Sequence, residues 1–150
     1  VGVTLLGGCS TNYNPFHWFG GSSDAPVTLE PRDGSDETAD RRPMVDRVVS
    51  MSVERTIGGA IVTAVGLPPT QGYWRSGLVP ELAAAGGDPV PDENGTMVLQ
   101  FRIIPAPAGS RVGTQQSREL SAALFLTDQT LRGVRRIVVR GNGNQQSSSR

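Results

Sequence analysis

Between Met97 and Ile103 a large apolar residue recurs at every second position: Met97, Leu99, Phe101 and Ile103, spaced by Val98, Gln100 and Arg102. A repeat of two puts those four side chains on one face of an extended strand, because successive residues of a strand point to opposite sides. The same period recurs along the chain. Val49, Met51 and Val53 alternate with Ser50, Ser52 and Glu54, and the run Ala60 to Val65 is apolar and rich in β-branched residues. Tyr73 to Val79 reads as a shorter strand, and Val134 to Arg140 as the last, with Ile137 and Val139 its inward pair.

Residues 118–126 fit two patterns. Leu120, Ala122, Leu124 and Leu126 fit period two, whereas Leu120, Leu124 and Leu131 fit a helix. The early stop at Thr127-Asp128 and the neighbouring strands favour a strand. Turn chemistry lies between the runs, at Gly58-Gly59, Gly66-Leu67-Pro68-Pro69, Gly86-Gly87-Asp88-Pro89 and Asn94-Gly95, the last a hairpin signal. Short strands without helical crossovers predict an all-β domain over 45–141, an immunoglobulin-like β-sandwich of about six or seven strands. The likeness to immunoglobulins is one of architecture only, since no Cys pair flanks a Trp. Trp74, Phe101 and Phe125 are the expected aromatic core, Glu81 to Ala85 allows one helical turn, and in the polar tail 142–150 the stretch Gln145 to Arg150 is expected to fray.

The residue inventory removes several chemistries. With one Cys and one His in 150 residues there is no intrachain disulfide and no Cys- or His-based metal cluster, so no metal or cofactor is expected. A Ser-His-Asp or Cys-His arrangement would have to use His17, which lies in a polar, loop-like stretch. All basic side chains are Arg, so no Lys is present to follow a glycine-rich phosphate loop. The turn Asp88 to Gly95 offers oxygen ligands, but it lacks the alternate-position spacing of a calcium loop, and Pro89 and Pro91 stiffen it. Glu54, Glu119 and Asp128 are the acidic residues near strands; a carboxylate hydrolase would need two of them facing each other in a pocket, and nothing in the sequence groups them.

Zero net charge conceals a gradient. Residues 1–46 hold three Arg and seven acidic residues, and residues 94–150 hold eight Arg and two acidic ones. Arg132, Arg135 and Arg136 offer a basic face, yet no block reaches the density of a nucleic-acid patch, so no nucleic-acid partner is expected.

The chain opens Val-Gly-Val-Thr-Leu-Leu-Gly-Gly-Cys, an apolar run closed by small residues and the single Cys. The tetrad Leu6-Gly7-Gly8-Cys9 resembles the lipobox of bacterial lipoproteins. That resemblance implies that residues 1–8 are the remnant of a signal peptide. It also implies that the Cys9 thiol carries diacylglycerol (palmitate-type chains), with an acylated amino terminus after cleavage. Three acyl chains at about 0.8 kcal/mol per buried CH₂ anchor a protein firmly, where one chain is marginal. Ser10 after the Cys, by resemblance to lipoproteins of Gram-negative bacteria, implies the outer membrane with the domain facing the periplasm.

From 9 to 44 the composition predicts a disordered tether, because Ser22 to Pro43 offers almost nothing to bury. About 36 flexible residues reach roughly 30–35 Å. Tyr13, Phe16, Trp18 and Phe19 concentrate near the anchor, at a depth suited to the bilayer interface or as a docking motif for another envelope protein. Farther along, Tyr73 and Trp74 offer a platform for a sugar or peptide, against core packing of Trp74. The expected function is a membrane-anchored, non-catalytic structural or interaction module in the periplasm. Carbohydrate or peptidoglycan binding is the alternative, and an envelope hydrolase the further one.

Overall fold

The computed structural model describes residues 40–149. Seven strands follow in order: β1 (Arg47–Thr56), β2 (Gly59–Leu67), β3 (Trp74–Pro80), β4 (Thr96–Ile104), β5 (Leu120–Thr127), β6 (Arg136–Arg140) and β7 (Gln145–Ser149). They form two sheets, a three-stranded one ordered β1-β2-β5 and a four-stranded one ordered β3-β4-β6-β7. The domain is an all-β sandwich, as the alternation predicts. All pairs are antiparallel except β4 with β6, which run parallel.

The core follows the period-two faces. On β4, Met97, Leu99, Phe101 and Ile103 are all buried and their neighbours are half-buried. Facing them, the three-stranded sheet supplies small residues, Ala60, Val62, Ala64 and Ala122. Large side chains from one sheet thus fill the space that small ones leave on the other, which keeps interior packing dense. Gly66 belongs to this fit: a Cβ there would stand 2.9 Å from the Phe101 ring and 2.9 Å from Val45.

Several expectations need correction. Val49 does not share the inward face with Met51 and Val53. A bulge between Val48 and Ser50 turns Val48 inward and Val49 outward. Phe125 is half exposed, because Ala122 and Leu126 take the inward positions of β5 and parity sends Phe125 out beside its cross-strand partner Ile61. Residues 120–127 are strand, and Leu131 reaches the core from the turn beyond it. Glu81 to Ala85 forms no helical turn; Ala83 bridges Pro89 across a looped segment. Asn94-Gly95 does turn with Gly95 at φ +77°, but β4, which follows it, pairs with β3 across a long loop and not across a tight hairpin. The tight hairpin joins β1 to β2 through Ile57-Gly58, with Gly58 at φ +83°.

The ends of the domain also differ from the reading. Residues 43–45 already belong to it: Ile103 N donates to Pro43 O and Val45 N to Phe101 O, continuing the edge of β4 beyond the last residue paired to β6. Up to Ser149 the expected tail is not loose, because β7 pairs along all of β6. A strand of Gln and Ser has no hydrophobic signature; the backbone ladder and a neighbouring edge are enough to hold it. The lipobox, Cys9 and the aromatics Tyr13, Phe16, Trp18 and Phe19 lie outside the described residues, as does most of the tether.

Candidate functional site

One pole of the sandwich gathers residues 40–46, the 68–73 loop, the 105–119 loop and the 141–144 turn. Backbone bonds tie these segments together: Gln71 N donates to Arg111 O at 2.8 Å, Asn142 N to Val45 O at 2.8 Å and Gly143 N to Asp46 O at 2.9 Å. Arg118 adds bonds to the carbonyls of Pro68 and Pro69, at 3.2 and 2.8 Å. The β-strands fix where each loop starts, and these bonds fix where the loops meet.

The sequence placed Tyr73 and Trp74 on one platform. The structure separates them. Tyr73, just ahead of β3, turns against the hydrophobic core, while Trp74 is 52% exposed and pairs across the sheet with Ile104. Core packing of Trp74 is therefore overturned, and its companion is Arg75, whose guanidinium sits 5.8 Å from the indole centroid. That distance is within the range of a cation–π attraction.

Arg75 has φ +47° and is the one non-glycine residue with a left-handed backbone among the described residues. Such a conformation persists only where surrounding contacts enforce it. They are visible here. The register of β3 against β4 breaks between Trp74 and Gly77, the Arg42 guanidinium donates to the Arg75 carbonyl, and Ser76 Oγ donates to Ser121 O at 2.7 Å. A Cβ on Gly77 would lie 3.2 Å from Arg42, so the glycine leaves room for that side chain. Arg42 is itself oriented by Asp40, with Nε 2.9 Å from both carboxylate oxygens. The hydrogen bond from Arg42 holds the Asp40 carboxyl below the ordinary carboxylate range, and the same bond raises the Arg42 guanidinium above its usual value. The result is an exposed Trp–Arg pair on a braced bulge.

Tyr73 lines a cleft of about 320 Å³ at the same pole, together with Pro43, Met44, Asp46, Pro69, Ile103, Pro105 and Asn142. Asp46 and Asn142 were not singled out by sequence reasoning. Neither has a motif around it; the bonds between 45–46 and 142–143 join them across nearly the whole domain.

Two other clefts are simpler. One of about 230 Å³ opens between β1 and β7, lined by Val53, Arg55, Ala60, Leu131, Ile137, Ser148 and Ser149. The other, about 420 Å³, includes Asp88, Thr127, Thr130 and Arg132. Among the described residues, each of the three is lined by at most one carboxylate, whereas glycoside hydrolysis uses a pair. Within the acidic turn, Asp92 Oδ1 accepts from Asn94 N at 2.9 Å and Thr96 N at 2.7 Å, which shapes the turn. Among the described residues no group of three or more His, Cys, Asp or Glu is placed to hold a metal, and no helix is long and apolar enough to cross a membrane.

No protein-family model matches the chain, and no curated protein or solved structure matches it.

Proposed function

We propose that the chain is a membrane-anchored envelope lipoprotein whose sandwich is a non-catalytic interaction module. The Leu6-Gly7-Gly8-Cys9 tetrad supports the anchor, placing Cys9 as the acylated residue, with the outer membrane as its site and the domain facing the periplasm. The observation that carries the interaction reading is the exposed Trp74–Arg75 pair. An indole left half in water on a braced, conformationally costly bulge contributes little to the core. A rigid aromatic with an adjacent cation is a common anchor at binding surfaces, because it loses little entropy on contact.

Peptidoglycan or another carbohydrate is the second reading, favoured by that same indole, whose flat face suits the C–H face of a sugar ring. Two measurements test the proposal. Intact mass of the full-length protein from a Gram-negative host given a complete signal sequence should show a triacylated chain beginning at Cys9; an unmodified chain beginning upstream defeats the anchor. Pull-down with cell-wall sacculi, and crosslinking in whole envelopes, should capture the protein through Trp74. Capture that is unchanged in Trp74→Ala removes the indole from the binding surface.

A further inference from the structure

We propose that the cleft beside Tyr73 is a binding site for a primary ammonium group on an aliphatic stem, such as a diamine or a lysine-type side chain. The inference does not depend on lipidation or on the role of Trp74. Its basis is the composition of the lining. Among the described residues that line the cleft, Asp46 is the single charged one and none is Arg. The remaining polar side chains are the Tyr73 phenol and the Asn142 amide. Among the described residues, none of these three side chains is engaged in a hydrogen bond or ion pair.

The three groups complement an ammonium. Such a cation carries three N–H donors and no acceptor. A carboxylate, an amide oxygen and a phenol oxygen are three acceptors, and one of them supplies the opposite charge. A neutral polyol would use the same oxygens but gain nothing from the carboxylate's charge. The rest of the wall suits a methylene stem. Pro43, Pro69 and Pro105 line the cleft with apolar rings, and their locked φ angles restrict its backbone. The volume, about 320 Å³, lies at the small end of the range for ligand pockets and fits a short chain better than a multi-ring ligand.

The backbone that carries two of these groups is also held in place. Asn142 N bonds to Val45 O and Gly143 N to Asp46 O, so Asp46 and Asn142 keep adjacent positions across two segments of chain. Ligand binding therefore requires little backbone rearrangement, which lowers its entropic cost.

The test is an amide NMR titration of the full chain with cadaverine, beside 1-pentanol and N-acetylglucosamine as neutral probes. Cadaverine is expected to shift the amides of Asp46, Tyr73 and Asn142 saturably, and the neutral probes are not. Asp46→Asn should weaken cadaverine binding about tenfold or more while the rest of the spectrum is retained, since a charge-assisted bond is exchanged for a neutral one. Three results overturn the proposal: no saturable shift by about 10 mM cadaverine, a weak affinity on the common scale; equal affinity in Asp46→Asn; or shifts at these amides with N-acetylglucosamine but not cadaverine. If Asp46→Asn does not fold, Tyr73→Phe decides, because it keeps the ring packing and removes only the hydroxyl. Weaker cadaverine binding in that variant supports the site, and unchanged binding overturns it.

Discussion

The sandwich has two lateral seams where its sheets approach each other, β1 with β7 and β3 with β5, and they are closed in different ways. At the first, the Asn144 side chain imitates a strand: its Oδ1 accepts from Val48 N at 2.7 Å and its Nδ2 donates to Val48 O at 2.8 Å. One amide thereby satisfies both backbone groups of Val48, at the edge of the β1 bulge. At the second, a single side-chain bond, Ser76 Oγ to Ser121 O, links the edges. The strained Arg75 and the exposed Trp74 lie beside this lighter seam. The contrast suggests a division of labour: one seam is sealed for stability, and the other carries the conformational cost of presenting an aromatic.

Asn144→Ala should have the largest effect. It leaves the Val48 N–H and C=O, part-buried, without their partner, a loss of about 2 kcal/mol and a fall in melting temperature of roughly 8 °C or more. Thermal unfolding followed by circular dichroism measures it; a variant that melts within a degree of the parent removes the clamp from the account of stability. Ser76→Ala should cost less, about 0.5–1 kcal/mol for one exposed bond. A drop as large as that of Asn144→Ala would equalise the seams.

Arg75→Gly carries the opposite sign. Glycine adopts φ +47° without a Cβ penalty, so chemical denaturation should show a gain of up to about 1 kcal/mol, offset in part by glycine's greater unfolded freedom. The same variant should lose sacculus or envelope capture. A clear destabilisation would mean that Arg75 braces the fold instead of presenting the indole.

Asp40 refines the lighter seam through pH. Its carboxyl is held low in the folded state, chiefly by the Arg42 hydrogen bond. Its contribution is therefore complete above the unfolded value of about 3.9 and is lost as pH falls through the lower folded value. Asp40→Asn should flatten the part of the stability–pH curve below about pH 4 and leave the shape near neutrality unchanged. Equal slopes for parent and variant in acid would remove Asp40 from the brace. The smallest effect is expected from Ile57→Ser. That residue is 99% exposed at the tip of the β1–β2 hairpin, and surface changes of this kind stay within about 0.5 kcal/mol.

The sequence made strands legible wherever one face is buried and the other wet. β4 is the clearest case, and its four inward residues could be named from period two alone. The same rule, applied strictly to 120–126, sends Phe125 outward; its aromatic character favours the core, and parity prevails. β7 was illegible for a different reason. Gln and Ser carry no hydrophobic period, and the strand exists because β6 offers an edge. The candidate site divides in the same way. Tyr73 and Trp74 stood out as adjacent aromatics, but Asp46 and Asn142 are ordinary residues in loops. Only the backbone bonds at 45–46 and 142–143 bring them to one cleft.

By itself, then, the sequence determined an all-β domain with its largest buried side chains on β4, because alternation is a local property that burial on one face requires. Within these 150 residues it also excluded chemistries that need several Cys or His, or any Lys, because folding cannot supply residues that a sequence lacks. Tertiary structure decided which aromatic faces water, where the extra residue of β1 is accommodated, and which distant polar groups share a cleft. Those outcomes depend on register and on contacts between segments far apart in the chain, for which no local pattern exists.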